Sequence, residues 1–191
     1  MTSSERLGEI LILSGPPGAG KSTIADALAT SRHIPAVHIH SDDFWHFIKS
    51  GWIAPYLPES NAQNQVVIDA IMAAAHIYAK GGYLVVVDGI FGPWFLDRVR
   101  TATGVPLHYV VLRPDLKTAL ARARGRASDG LKEGGPIRGL HEQFTNLGDL
   151  ESHALDTTAL SIPATLNAVM ELVATGSARL SSSPSNHRQP G

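Results

Sequence analysis

The chain predicts an α/β fold: a parallel sheet covered by helices on both faces. Two observations lead to it. Short apolar runs alternate with helical patterns along the chain, the order of linked strand–helix–strand units. The first apolar run, "EILILSG", also passes through a glycine-rich turn directly into a helix, an arrangement that sets a backbone loop at a helix N-terminus to hold phosphate. With 191 residues, 43% of them hydrophobic, the chain can bury one core. One domain over residues 9–176 is expected, between an extension of residues 1–8 and a tail of residues 177–191.

The elements follow in order. "EILILSG" reads as a buried strand, and "KSTIADALATS" as a helix with Ile24, Ala27 and Leu28 on one side. "AVHIH" is a second strand ending at "SDDFW". After a loop rich in Pro and Gly, "ESNAQNQVVIDAIMAAAHIYAKGG" places Val67, Ile71 and Ala74 at helical spacing, with Gly81 as the stop. "YLVVVDG" is a wholly apolar strand closed by Asp88 and Gly89, of the kind buried on both faces. "LHYVVLR" is the fourth strand and "LKTALARARGR" its helix; "HALDTT" is a short fifth strand; "IPATLNAVMELVATG" is a last helix ending at Gly176. The tail, rich in Ser and Pro, is expected to be disordered.

The spacing Gly15-x-x-x-x-Gly20-Lys21-Ser22 is the phosphate-loop pattern. Side chains must stay clear at Gly15, Gly18 and Gly20 so that backbone N–H groups, those of Ala19 to Thr23 included, can wrap a polyphosphate. Lys21, expected to be exposed in the empty loop, can reach the β- and γ-phosphates, and the Ser22 hydroxyl can ligate Mg²⁺. ATP and Mg²⁺ are the expected cofactors. A dinucleotide fingerprint fails, because Gly18-Ala19-Gly20-Lys21-Ser22-Thr23 lacks the third glycine.

Ligands of such sheets bind beyond the C-terminal strand ends, which puts Asp42, Asp43, Asp88 and Arg113 on the rim that carries the loop. Phosphoryl transfer to an alcohol needs a group that orients the hydroxyl and takes its proton. Asp42 is assigned that task, and Asp43 a helix-capping or substrate-side role. Asp88 is expected to hold Mg²⁺ with Ser22 or to bind substrate hydroxyls. His38, His40 and Asp42 mimic a transition-metal signature, but Asp43 stands where that signature needs His, so packed or hydrogen-bonded histidines are expected instead.

Five of the sixteen basic residues, Arg122, Arg124, Arg126, Lys132 and Arg138, fall in one Gly-rich stretch. It is expected to be a mobile lid over about residues 126–138 that brings Arg122 or Arg126, together with Arg138, onto the transferring phosphoryl group, since arginines at i, i+2 and i+4 cannot all point inward. All three Trp and four of the five Phe lie between residues 44 and 95. They suggest either an acceptor pocket containing Trp45, Asn64 and Phe91, with Asn61 and Gln63 nearby, or a locally aromatic core. Net charge is −1, Cys is absent, and no apolar run approaches membrane-spanning length. These features argue against nucleic-acid and membrane partners and for a cytoplasmic protein that binds ATP and a small hydroxylated molecule.

Taken together, "GPPGAGKST", "SDDFW", "YLVVVDGIF", "VVLRPD" and "LDTT" resemble the small P-loop kinases over about residues 9–176, most closely the chloramphenicol phosphotransferase-like group. The resemblance implies a five-stranded parallel sheet in the order 2-3-1-4-5, a flexible lid, and a catalytic base at Asp42. "SDDFW" is also similar to the R-D-D-Y-R segment of polynucleotide kinases, except that Trp45-His46 stands where their next arginine would be. The gluconate kinase motif containing D-G-D-D followed by His-Pro is not met. A kinase of a small hydroxylated metabolite or antibiotic is therefore the leading expectation. The alternative is a nucleotide-hydrolysing regulatory ATPase that phosphorylates no acceptor.

Overall fold

The computed structural model describes residues 7–31, 34–100, 104–125 and 134–181. Five parallel strands form one sheet: β1 Glu9–Ser14, β2 Ala36–His40, β3 Leu84–Asp88, β4 Leu107–Leu112 and β5 Ala154–Leu155, in the order β2-β3-β1-β4-β5. The three central strands are buried nearly throughout, as continuous apolar runs of a two-sided sheet must be. Alternate residues divide the core. Ile10, Ile12, Val85, Val87, Tyr109 and Val111 face one layer, whereas Leu11, Leu13, Leu84, Val86, Val110 and Leu112 face the other.

Helix α3 (Asn61–Lys80) fills the first layer with Val67, Ile68, Ile71, Met72 and Ala75. Helices α1 (Lys21–Thr30) and α7 (Ile162–Ala174) fill the second with Ile24, Ala25, Leu28 and Val169. A short helix α2 (Ser41–His46) follows β2 directly and turns Phe44 and Trp45 toward the α3 layer. Helix α5 (Leu116–Arg124) starts at Asp115, whose carboxylate accepts from the Thr118 N–H at 2.7 Å. Gly81 does end α3, but the left-handed residue there is Gly82, at φ 89°.

Four expectations need correction. Asp42 and Asp43 cap nothing: α2 begins at Ser41, its N-cap is His40, and both aspartates lie in the first turn. A further helix α4 (Leu96–Val99), entered by a tight 3₁₀ turn at Pro93–Phe95, was not anticipated between β3 and β4. Residues 134–138, expected as the end of a glycine-rich lid, open helix α6 (Gly134–Glu142), whose Ile137 is fully buried; residues 126–133 lie outside the described residues. The start of the expected disordered tail is docked. Arg179 bridges antiparallel to His108, Tyr109 donates to the Ala178 carbonyl at 2.8 Å, Leu180 donates to the Leu107 carbonyl at 2.9 Å, and the Leu180 side chain is buried in the first core layer. Because β5 covers only Val111 and Leu112 of β4, these residues satisfy backbone groups lower on the same edge.

Candidate active site

The phosphate loop leaves β1 after Ser14. The Ser14 hydroxyl donates to the Phe91 carbonyl at 2.7 Å and accepts from the Phe91 N–H at 3.1 Å, tying the loop's origin to the chain beyond β3. Gly15, Gly18 and Gly20 all have positive φ, at 138°, 82° and 89°. Only Gly20 is open: a Cβ there meets nothing within 4 Å. A Cβ at Gly15 would lie 2.2 Å from the Leu112 carbonyl oxygen, and at Gly18 2.1 Å from that of Ala119. Those two glycines therefore let the loop press against β4 and α5, which corrects the expectation that all three clear space for phosphate. The Ala19 N–H is taken up by the Pro16 carbonyl at 3.2 Å. The available donors lie further on, in the first turn of α1 at Lys21, Ser22 and Thr23, where the Gly20 N-cap supplies no side chain. An uncapped helix N-terminus facing open space favours an anion.

Lys21 corrects its expectation as well. It is 6% exposed, and its ammonium donates to the carbonyls of Gly15 at 3.0 Å and Pro16 at 3.1 Å. The charge is stored inside the loop rather than extended from it.

Asp88 closes β3 with 2% exposure. Parity sends it, together with His38 and His40 of β2, to the α1 side of the sheet, and the register sets His40 opposite it. The Ser22 hydroxyl donates to Asp88 Oδ2 at 2.6 Å, and His38 Nε2 lies 2.8 Å from Oδ1. His40 Nε2 is 4.0 Å from Oδ2, while its Nδ1 is 3.6 Å from Asp43 Oδ1. Burial pushes the Asp88 pKa up, but hydrogen bonds from His38 and Ser22, with the charges of His40 and His38, outweigh it and hold the carboxyl below its usual value. An ionised carboxylate beside a hydroxyl, under an open helix N-terminus, is a donor set suited to a hard cation such as Mg²⁺. Among the described residues no three His, Asp or Glu side chains converge as a metal cage. The donor pair fits the Mg²⁺ habit of taking one or two protein groups and completing its shell with phosphate and water.

Asp42 is exposed and has no hydrogen-bond or ion-pair partner among the described residues. The remaining expected residues are dispersed. Arg113 is bound to the Glu151 carboxylate at 2.9 and 3.1 Å and also donates to the Phe144 carbonyl. Arg122 donates to the Thr157 carbonyl at 3.1 Å. Arg138 is exposed on α6 without a partner among the described residues, and Arg126 lies outside them. The acceptor-pocket expectation fails at two positions. Phe91 is 1% exposed and belongs to the core. Asn64 is 5% exposed and spent inside: it accepts from Trp45 Nε1 at 2.9 Å and donates to the Pro55 carbonyl and Ser60 hydroxyl, each at 2.8 Å. Asn64 and Trp45 thus lock α2 and the loop after it onto α3. Of the other aromatics, Trp52 and Trp94 are about half exposed, and Phe44 and Phe47 line an apolar groove of about 500 Å³ between α2 and α3.

Hydrogen-bonded histidines were expected, and His38 is one; its partner, Asp88, was not foreseen. The signal was available in the strand parity that brings both rings to the face carrying Asp88.

A phosphate loop between β1 and α1, a buried carboxylate ending β3 and the sheet order 2-3-1-4-5 define a P-loop domain of the kinase-like α/β class. The chain matches the AAA domain family over residues 11–137 and belongs to it. Solved structures share the architecture. A gluconokinase from Sinorhizobium meliloti 1021 superposes with TM-score 0.66 at 17% identity, over 90% of this chain and 95% of that one. The Mycobacterium tuberculosis APS kinase CysC, solved with AMPPNP and APS, gives 0.63 at 19%, over 88% and 99%. A tunicamycin resistance protein from Deinococcus radiodurans gives 0.61 at 19%, over 87% and 95%. No curated protein matches the sequence. The gluconokinase likeness is one of fold, since the D-G-D-D motif is missing from this chain. No helix among the described residues is long and apolar enough to cross a membrane.

Proposed function

We propose that the protein is an ATP-dependent phosphotransferase that moves the γ-phosphoryl group of ATP to a hydroxyl of a small molecule. The observation that carries this reading is the junction of Ser22 and Asp88, 2.6 Å apart beneath the uncapped start of α1, on the strand-end rim where Asp42, without a partner among the described residues, also stands. N–H groups from Lys21 to Thr23 would bind the phosphates. The Lys21 ammonium would exchange the Gly15 and Pro16 carbonyls for phosphate oxygens. Ser22 and Asp88 would hold Mg²⁺, which supplies neutralising charge on the phosphates. Asp42 orients the acceptor hydroxyl and takes its proton as the new O–P bond forms and the bond to the ADP oxygen breaks. Arg138, without a partner among the described residues, would meet the transferring group; Arg122 must first release Thr157; Arg126 completes the proposed set. Asp43, tied to His40, serves the substrate side.

The structural relatives named as gluconokinase and APS kinase support a hydroxyl acceptor. The test is a panel of sugars, sugar acids, nucleosides and hydroxylated antibiotics incubated with γ-labelled ATP and Mg²⁺. Label transfer to one class is expected. Release of inorganic phosphate alone, unaffected by any acceptor, would contradict the reading and favour the regulatory ATPase.

A further inference from the structure

The His38-x-His40 pair takes no part in the chemistry above, yet both rings converge on the one buried carboxylate of the site. On the reading that Ser22 and Asp88 hold Mg²⁺, we infer that His38 is a positioning residue for that metal site, fixing the plane of the Asp88 carboxylate, with His40 as a weaker support.

The chemistry of the contact sets its direction. An ionised carboxylate only accepts, so the 2.8 Å approach makes His38 Nε2 the donor to Oδ1. Ser22 donates to the other oxygen, Oδ2. Two directional bonds on opposite oxygens remove the torsional freedom that an aspartate at a strand end would otherwise keep. Each oxygen retains a lone pair, and the Ser22 oxygen, donating its O–H to Asp88, keeps both of its own lone pairs for a cation. His40 is 4.0 Å from Oδ2 and more exposed than His38, 39% against 20% for the side chains, too far to fix the carboxylate by a hydrogen bond. The edge position of β2 makes this possible: residues 38 and 40 point to one face, two residues below and level with Asp88 in the register. Donors that fix metal-bound carboxylates from behind commonly change metal affinity 10–100-fold when removed.

The experiment measures binding of a non-hydrolysable ATP analogue to the full-length protein, in EDTA and across a Mg²⁺ titration, with melting temperatures as the check on folding. His38→Ala is expected to raise the half-saturating Mg²⁺ concentration by about 10–100-fold while leaving binding in EDTA unchanged, because the loop N–H groups remain. His38→Gln, whose amide N–H lies where Nε2–H was, should restore most of the Mg²⁺ response; His38→Met, of similar bulk and without a donor, should not. His40→Ala should shift it much less. The Gln and Met pair keeps the test decisive if alanine destabilises the strand: a Gln variant no better than Met overturns the inference. Wild-type Mg²⁺ dependence in His38→Ala, with that dependence lost in Asp88→Asn, also overturns it while sparing the reading of the site. Wild-type dependence in Asp88→Asn removes both.

Discussion

Gly18 and Gly20 lie two residues apart in the phosphate loop and need the absence of a side chain for different reasons. Gly18→Ala forces a Cβ onto the Ala119 carbonyl oxygen, so its cost should exceed the roughly 1–2 kcal/mol of a left-handed alanine and appear as a lowered urea midpoint. Gly20→Ala pays only the left-handed penalty, but fills the open space above α1 and should weaken nucleotide binding more than it weakens the fold. Urea titration and analogue binding on both variants separate the two cases; equal effects would contradict the assignment. Lys21→Ala removes the proposed phosphate partner, and it also takes a hydrogen bond from each of the Gly15 and Pro16 carbonyls, of which Pro16 keeps the Ala19 N–H. ATP turnover should vanish and stability should fall by about 1–3 kcal/mol, whereas wild-type turnover in the folded variant would exclude the loop's proposed use. The motif residues were legible because each has a sequence-local reason. The packing of Gly15 and Gly18 was not, because the carbonyls they meet belong to β4 and α5, some hundred residues away; the stored position of Lys21 was not, because it depends on the folded turn that aims the Gly15 and Pro16 carbonyls at its ammonium.

Strands and long helices were legible for a similar reason: β1, β3 and β4 are uninterrupted apolar runs, and α3 carries its buried stripe over twenty residues. Short helices were not, although the short strand at "HALDTT" was. α2 starts at Ser41 because the chain turns as soon as β2 ends, and its anchor is the Trp45–Asn64 hydrogen bond across to α3. Asn64, read as a substrate contact, is a clamp, and only its partners at Trp45, Pro55 and Ser60 reveal that. α6 went unseen because its glycines mask a helix whose Ile137 docks into the core. At α5 the cap makes a pH prediction. Hydrogen bonds from Thr118 hold the Asp115 carboxyl below its usual value. A depressed folded pKa contributes stability that is present above the unfolded value, about 3.9, and is lost as pH falls through the folded value. Asp115→Asn keeps a capping oxygen, so the urea-midpoint gap between wild type and variant should be largest near neutrality and shrink as pH falls below the unfolded value. A gap independent of pH would contradict the ionised cap.

For the molecule as a whole, the alternation of strands and helices was enough for the fold class, and the order 2-3-1-4-5 came with the family resemblance. The domain's end was misjudged because composition hides register: "SARLSS" looks like a linker, yet Ala178 to Leu180 complete the β4 edge. Ending the chain after Gly176 should lower the melting temperature, and Leu180→Ala alone should cost about 2–5 kcal/mol, as large-to-small changes in cores do; a wild-type melt of either would show the docking to be weak. The central claim is that this scaffold transfers phosphoryl groups to an alcohol through Asp42. The most direct measurement compares wild type and Asp42→Asn for ATP-analogue affinity and, separately, for phosphoryl transfer and water hydrolysis, using the acceptor from the panel. The account predicts unchanged affinity with transfer reduced by roughly 10²–10⁴-fold and hydrolysis persisting. Undiminished transfer in Asp42→Asn, with transfer lost in Asp43→Asn instead, would contradict it.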